Sequence, residues 1–424
     1  MRNCFFVLFM ILVFTGTSLG GGFGLYEFGA RASSLSGAVV AQAADASSVF
    51  YNPAGLAFQS GTQFYGSVTL IKSQNRWVGP APIFSNQVHE ARSQLHTPLG
   101  IYLSHTFENG VALGLGVTNP FGLGLAWEDD FPGRVISKDV DLKSFYFSPV
   151  VAFRIDPHVS IGGGVDIVYS TVKLQRHILF AFPFDSNTEP GVEVGEVLLE
   201  ANSKLEFGFA ANILIQLDKL SFGFLYRHKV KNKFEEGDAT FTLYETPFKT
   251  FLQNQGIKNQ KGGTEITYPS FFSVGAHYMI TDALGVEVDY MWYKWDVFKE
   301  LVLDFDEDAL DTVVKENYKN SSQFRIGLHY SLINNLELRL GYIYDQTPQP
   351  IGSMSPLLPD SDRNDYSIGL GYRFGSMKLD AGYMLVNFSG RSTIVDGEGR
   401  QFDGFDGSYS SKANLLFFSY GISF

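Results

Sequence analysis

The sequence predicts an all-β protein, a transmembrane antiparallel β-barrel of about 14 strands with an N-terminal plug (hatch) inside its lumen. Three observations predict this fold class. Many segments alternate apolar and polar residues with a period of two. Short and long connections alternate strictly between these segments. Aromatic residues make up 15% of the chain and charged residues only 18%, yet no apolar run after residue 20 approaches the ~20 residues of a membrane helix.

Residues 1–20 have the features of a signal peptide. Arg2 provides a positive start, and the apolar run over residues 4–14 is too short to span a bilayer as a helix. Residues 18–20 fit a small-x-small cleavage pattern. We therefore expect cleavage after Gly20 and export of the remaining chain.

Cysteine usage and charge exclude several classes of protein. Cys4 is the only cysteine and precedes the apolar run, so the exported chain would have no disulfide, iron–sulfur cluster or thiolate metal site. The net charge of −12 provides no basic face for nucleic acid. No histidine stands in a metal-ligand spacing and no G-x-S-x-G motif occurs, so we expect no enzyme, no cofactor and no bound metal.

One acidic stretch imitates a calcium-binding loop. Asp304, Asp306 and Asp308 have the spacing that starts an EF-hand loop. Ala309 stands where that loop needs glycine, and Lys315 where it needs the closing glutamate. We therefore interpret the stretch as a solvated acidic loop.

Residues 336–345 show the strand pattern most clearly. Their apolar face ends in tyrosines, as an aromatic girdle would, and the other face carries Glu337 and Arg339. Residues 284–292 and 366–374 alternate in the same way. Charge in the middle of a strand predicts a wet or polar lumen.

The connections distinguish a barrel from a soluble sandwich, because both alternate. Turns of two or three residues occur, for example, at 108–110, 156–158, 218–219 and 334–335. Long connections lie between them, at about 74–95, 128–139, 177–201, 235–264, 299–318, 347–363 and 390–411. Periplasmic turns and extracellular loops of a bacterial barrel alternate in this way. The barrel is therefore predicted over residues 61–424.

Residues 21–60 do not alternate and are rich in Gly, Ala and Ser, with a weakly helical middle near residues 31–44. They are too apolar for a disordered tail, and small residues allow a chain to fold back inside a barrel. We predict that they form the plug. Its rigid last turn would be Asn52, Pro53 and Ala54, because proline leaves no buried donor unpaired and asparagine closes an Asx-type turn.

The last strand ends in the aromatic residue Phe424. A terminal aromatic is typical of the signal that the barrel-assembly machinery recognises, so that machinery is an expected partner. Outer-membrane lipid and lipopolysaccharide are expected to surround the wall.

Five stretches resemble the FadL/TodX family of outer-membrane transporters for long-chain fatty acids and hydrocarbons. They keep their order over nearly the whole exported chain. They are GGFGLYEFGARASSLSGA (21–38), NPA (52–54), TNPFGLGLAW (118–127), GGGVDIVYSTVKLQR (162–176) and YDQTPQPIGSMSPLLPDSDR (344–363).

The resemblance implies a ligand site and a gate. Arg176 matches the family's headgroup-binding arginine, and Lys319 is similar to a second basic ligand. The family's plug signature falls on residues 52–54. A hydrophobic small molecule, a long-chain fatty acid or a hydrocarbon, is the implied ligand.

The third strand carries a predicted side exit. Residues 111–127 are interrupted by Asn119, Pro120, Phe121 and Gly122. Proline removes a ladder donor in a closed barrel, where no edge strand exists. A β-bulge near the rim is the alternative interpretation.

The resulting hypothesis is passive uptake across the outer membrane of a Gram-negative bacterium. Extracellular loops would capture a fatty acid, the lumen would bind it, the plug would move, and the ligand would leave sideways. Uptake of aromatic or alkane hydrocarbons is the alternative. An outer-membrane lipase and a general porin are two further alternatives.

Overall fold

The structure, a computed structural model, describes residues 21–81, 87–180, 192–394, 400–402 and 404–424. The predicted signal peptide lies outside these residues.

The described chain forms one antiparallel sheet of fourteen strands, six of which are continuous and eight of which are interrupted. Their bounds are β1 Gly61–Val78; β2 Val88–Glu90, Leu95–His96 and Leu99–Thr106; β3 Val111–Thr118 and Gly122–Ala126; β4 Asp139–Arg154; β5 Val159–Phe180; β6 Val192–Asn202 and Glu206–Gln216; β7 Leu220–Arg227 and Val230–Leu243; β8 Gln260–Tyr268 and Phe271–Met279; β9 Leu284–Tyr293 and Glu300–Phe305; β10 Thr312–Lys315 and Ser321–Ile333; β11 Leu336–Asp345; β12 Arg363–Phe374; β13 Met377–Phe388 and Arg391–Ser392; β14 Ser408–Ser423.

The sheet closes on itself, because the first strand pairs with the last. The register of β1 with β14 runs from Gln63 opposite Ser423 to Val78 opposite Ser408. Each strand also pairs antiparallel with its neighbour in sequence, which confirms the predicted barrel and its even strand number. In the part of the chain described here, no helix is long and apolar enough to cross a membrane.

The outer face of the barrel is an apolar band. Exposed side chains on this face include Ile101, Leu115, Phe147, Leu370 and Phe418. Period-two alternation places their sequence neighbours in the lumen, as predicted.

The N-terminal segment of the chain occupies much of the lumen. Residues 21–60, called the N-terminal segment from here on, contact inward-facing side chains from strands on every side of the barrel and are almost wholly buried. Glu287 and Asp289 on β9 are buried and accept hydrogen bonds from backbone amides of this segment. Carboxylates on the inner face therefore accept the hydrogen bonds of buried backbone amides in the N-terminal segment.

The N-terminal segment has less helix than expected. Helix α1 spans Ala30–Ser34, α2 spans Ser48–Tyr51, and a 3₁₀ helix spans Pro53–Phe58. The predicted helical stretch stops early because Ser36 and Gly37 have positive φ angles of 54° and 72°. At that conformation the Gly37 amide caps α1 by donating to the Ala32 carbonyl.

Several predicted long loops are partly strand. β7 continues to Leu243, and β5 continues to Phe180, well inside connections expected to be irregular. Above the membrane a strand keeps its ladder but has no reason to alternate, so hydropathy does not reveal it. The remaining helices are α3, Lys249–Asn254, and short 3₁₀ turns at Pro132–Val135, Trp295–Val297, Asp308–Leu310 and Ile351–Ser353.

Candidate functional site

Two adjoining cavities lie on the inner side of the upper barrel wall, and Phe23 of the N-terminal segment lines one of them. We call them together the apolar seam. The inner cavity is the one lined by Phe23, and the outer cavity is the one lined by Arg176. Both are lined by Leu174, Leu301 and Leu357. Each cavity has a volume of about 40 Å³, far below the roughly 300–1,000 Å³ of ordinary small-molecule pockets. The seam is therefore nearly filled by its own side chains in this conformation.

Arg176 lines the outer cavity. It lies near the end of β5, and its Nη2 donates a hydrogen bond to Thr312 Oγ1 at 3.1 Å. Within the described residues it forms no ion pair. A partly buried guanidinium beside aliphatic side chains such as Val197 and Leu303 is suited to receive a carboxylate from a ligand.

Lys319, the second predicted basic ligand, lies elsewhere. Its side chain is exposed, and its backbone amide donates to the Pro348 carbonyl at 2.8 Å. It does not line either cavity of the seam. The structure therefore does not bring Lys319 and Arg176 together in the seam, and a role for Lys319 stays a prediction.

Aromatic side chains close the inner end of the seam. Phe23 lines the inner cavity and packs edge-to-face against Trp295, Phe298 and Phe121, with ring centroids 4.8, 5.5 and 6.2 Å away. Phe121 in turn stacks on Tyr268 at 4.5 Å. Sequence reasoning missed this cluster, because no periodic signal links a residue near the N-terminus to β8 and β9.

Two further buried residues line the inner cavity, Glu316 and Tyr318. They lie in the irregular chain between the two parts of β10, which lacks the alternation that would have drawn attention to them. Their position beside Lys319 was the available signal.

The predicted interruption of the third strand is a bend whose polar groups are bonded to neighbours. Asn119 replaces the missing ladder contacts with its side chain: Oδ1 accepts from the Leu99 amide at 3.1 Å, and Nδ2 donates to the Ser144 carbonyl at 2.8 Å. The Phe121 amide donates to Ser144 Oγ at 2.9 Å. The bend is therefore held without a regular β2–β3 ladder.

The N-terminal segment pairs with the bend. The Gly122 amide donates to the Phe23 carbonyl at 3.0 Å, and Gly24 forms an antiparallel bridge with Phe121. Residues 119–122 thus contact the same short piece of chain that closes the seam.

Asn52, Pro53 and Ala54 form a turn in tight contact with the wall. Asn52 is fully buried; its Nδ2 donates to the carbonyls of Val40 and Ile213 at 2.7 and 3.1 Å, and its Oδ1 accepts from the Ala54 amide at 3.2 Å. Pro53 begins the 3₁₀ helix and has no N–H to satisfy. The turn joins two parts of the N-terminal segment to β6.

Ion pairs also join the N-terminal segment to the wall. Arg31 lies 3.7 Å from Glu337, and Lys378 lies 3.7 Å from Asp45. Both separations are longer than a hydrogen bond, so each pair acts by charge attraction and not as a hydrogen-bonded ion pair.

Asp360 holds the start of the N-terminal segment from the β11–β12 loop. Its Oδ2 accepts the Gly22 amide at 3.0 Å and the Thr347 hydroxyl at 2.5 Å. Burial raises the pKa of Asp360 to about 6, against the opposing charge of Arg363. The Asp360 carboxyl therefore changes its charge at a mildly acidic pH.

A family model described as "Outer membrane protein transport protein (OMPP1/FadL/TodX)" matches residues 11–424. The chain belongs to this family. It is an outer-membrane transport protein of a Gram-negative bacterium, which agrees with the closed barrel and with the resemblance noted in the sequence.

Curated relatives in the family match along most of their length. Outer membrane protein P1 of Haemophilus influenzae is 27% identical over 395 residues, covering 83% of each chain. The long-chain fatty acid transport protein of Escherichia coli K12 is 23% identical over 414 residues, covering 90% of this chain and 91% of that protein.

Solved structures show the same fold. A Pseudomonas aeruginosa FadL homologue has a TM-score of 0.81 at 19% identity, covering 95% of this chain and all of that chain. The Pseudomonas putida toluene transporter TodX has a TM-score of 0.74 at 15% identity, covering 94% and 98%. At these identities the likeness extends to the fold alone.

Proposed function

We propose that this protein carries long-chain fatty acids or similar hydrophobic compounds passively across the outer membrane. The observation behind the proposal is the apolar seam, which has Arg176 at one end and Phe23 at the other. Each buried methylene gains about 0.8 kcal/mol, so ten contribute roughly 8 kcal/mol. Apolar contact would supply most of the affinity, and Arg176 would bind the carboxylate.

The proposed route has four steps. Extracellular loops near residues 177–201 and 235–264 capture the ligand; residues 181–191 of the first lie outside the described chain. The ligand then enters the seam, the N-terminal segment moves, and the ligand leaves through the bend at residues 119–122.

The small size of the seam supports a movement of its lining before a ligand enters. Cavities of about 40 Å³ cannot hold an acyl chain until lining side chains move. Phe23 is the lining residue that is also bonded to the bend, through the hydrogen bond from Gly122. Displacing Phe23 would therefore release both the cavity wall and the bend.

Uptake of neutral hydrocarbons is the second candidate function. Most side chains that line the inner cavity are apolar, with Glu316 and Tyr318 as exceptions. A neutral alkane or aromatic ring would need no ionic partner there. The two candidates differ in whether Arg176 contributes to binding.

The test compares oleate with hexadecane. Fluorescent fatty-acid titration of the purified protein, with each unlabelled compound as competitor, measures binding. Uptake of radiolabelled oleate by cells that lack their own carrier measures transport. Submicromolar-to-micromolar displacement by oleate together with uptake supports the proposal; no displacement by either compound contradicts it.

The same preparation tests the remaining alternatives. Labelling by an active-site acylation probe would indicate a lipase, and large ion conductance in planar bilayers would indicate a general porin. The proposal expects neither.

The outer surface of the barrel suggests which membrane components surround the protein. The apolar band would face lipid, and the charged wall above it would face lipopolysaccharide. Phe424 is 77% exposed while its amide donates to the Thr62 carbonyl at 2.9 Å, so its ring is free to be recognised during assembly. Deleting Phe424 should reduce the heat-modifiable folded fraction in cells; an unchanged fraction would remove this role.

A further inference from the structure

Strands β2 and β3 separate above the bend. Below the separation, the Leu99 amide is bonded to Asn119 Oδ1 at 3.1 Å; above it, the Arg92 amide is bonded to the Ala126 carbonyl at 2.7 Å. Between these contacts, the described residues of the two strands share no hydrogen bond. The barrel wall therefore has an interval in which β2 and β3 are neighbours but are not hydrogen-bonded to each other.

The imidazole of His96 lies at this interval. On β2, His96 pairs with Ile71, which packs against an inner apolar cluster, so its backbone directs the side chain inward. Its ring nevertheless lies against Gly124 of β3: a Cβ built on Gly124 would be 2.9 Å from Nδ1 and 3.0 Å from Nε2. A side chain of any other residue at position 124 would therefore clash with the ring.

Gly124 faces outward, so the ring lies across the thickness of the wall. Gly124 pairs with Asp141 on β4, and Asp141 forms a 2.6 Å ion pair with the exposed Lys143 on the outer surface. The preceding residue, Leu123, faces the opposite way and lines the inner cavity of the seam. Consecutive residues of β3 therefore contact the two places: Leu123 lines the seam and Gly124 lies against the ring.

No hydrogen bond holds the ring in this position through Nε2. Among the described residues, His96 Nε2 is buried and has no partner. A buried polar atom without a partner gains solvation when it moves to water or to a polar ligand. Rotation of the ring out of the interval would thus break no hydrogen bond of Nε2 and would relieve its desolvation.

We propose that His96 is the gate of the side exit, closing the β2–β3 interval by packing on Gly124 and opening it by rotation of its imidazole. The inference rests on the proposed function, because it assigns the residue that controls the exit at the bend. His96 is a positioning residue in this sense: it shapes the opening and need not bind the ligand in the seam.

A reversible cross-link tests the gate directly. The double variant His96→Cys/Gly124→Cys joins the two strands across the interval, and Cys4, the only native cysteine, precedes the predicted cleavage site. Bridging the pair with a short bis-methanethiosulfonate reagent should reduce radiolabelled oleate uptake at least tenfold while fluorescent fatty-acid binding stays unchanged. Reduction with dithiothreitol should restore uptake.

Single variants separate ring size from ring chemistry. His96→Ala should raise entry of the bulky hydrophobic dye N-phenyl-1-naphthylamine about threefold or more, because the interval is left open. His96→Phe, which keeps the ring bulk, should not raise it. His158→Ala, in an exposed periplasmic turn, is the matched control.

The outcomes distinguish the gate from the exit itself. If the cross-linked protein takes up oleate normally and His96→Ala behaves like His158→Ala, His96 is not the gate. A variant in which alternating Thr and Val replace residues 119–122, so that β3 becomes a regular strand, then tests the exit itself. If straightening the strand in this way still abolishes uptake, the side exit stands and only the gate is rejected. If straightening also has no effect, the side exit fails as well.

Discussion

The backbone amide of Leu25 donates a hydrogen bond to the carbonyl of Pro120 at 2.8 Å. Leu25 belongs to the N-terminal segment inside the lumen, and Pro120 to the bend in the barrel wall. Proline offers no amide to a ladder, and here its carbonyl is bonded to the lumen side instead of to a neighbouring strand. The segment that closes the seam and the bend that interrupts the wall are therefore parts of one hydrogen-bonded unit.

Arg176→Ala should weaken oleate binding by about 1.5–3 kcal/mol, the scale of a hydrogen bond to a charged group. Hexadecane binding should hardly change, because a neutral chain makes no ion pair. Competition titration with both compounds measures the difference. Arg154→Ala, at the exposed end of β4, is the control. Equal losses for acid and alkane would contradict the ionic role of Arg176.

Asn52→Ala should alter transport and leave the barrel folded. The substitution leaves the carbonyls of Val40 and Ile213 without their buried donor, at a cost of about 1–3 kcal/mol for the packed state. Heat-modifiable gel mobility reports the barrel, and labelled-oleate uptake reports transport. Normal uptake by a folded barrel would mean that the motif is an ordinary turn.

Gly162→Ala should loosen the N-terminal segment from the wall. A Cβ at position 162 would lie 2.6 Å from the Ala54 amide nitrogen and 2.9 Å from the Pro53 carbonyl carbon, and neither backbone atom can turn aside. Hydrogen exchange of peptides from residues 48–58 should become faster. Gly390→Ala, whose Cβ would meet only a carbonyl at 3.9 Å, is the control. Unchanged exchange in both variants would show that the contact is not restrictive.

Asp360 should make thermal stability depend on pH. Burial raises its pKa to about 6, above its unfolded value, so the folded state favours the protonated form. The stabilisation is complete below about pH 4 and is lost as pH rises through 6. Asp360→Asn imitates the protonated form, so its melting temperature relative to wild type should rise by a few degrees between pH 4 and pH 7. A constant difference over that range would exclude Asp360 as the source.

Much of the barrel was predictable because strands obey a simple period. The alternation around Glu337 and Arg339 located an inner face, and strictly alternating connections gave an even strand number. Loop boundaries were less predictable: the ladder of β7 continues to Leu243 beyond the apolar band, where no hydropathy signal exists.

The site was predictable only in part. Pro120 identified a break in the wall from the chemistry of proline alone, whereas Arg176 came from a family resemblance. The contact of Phe23 with Phe121, and that of His96 with Gly124, depend on closure of the barrel around the N-terminal segment. Such contacts join residues that are distant in sequence and carry no shared pattern.

The central claim is that the ligand leaves through the bend in β3. The most direct measurement is oleate uptake by cells whose only carrier has residues 119–122 replaced by alternating Thr and Val, which restores a regular ladder. We predict that fluorescent fatty-acid binding remains and that uptake is abolished. Uptake at the wild-type rate, with the straightened strand confirmed by crystallography, would contradict the side exit and favour an axial path past the N-terminal segment.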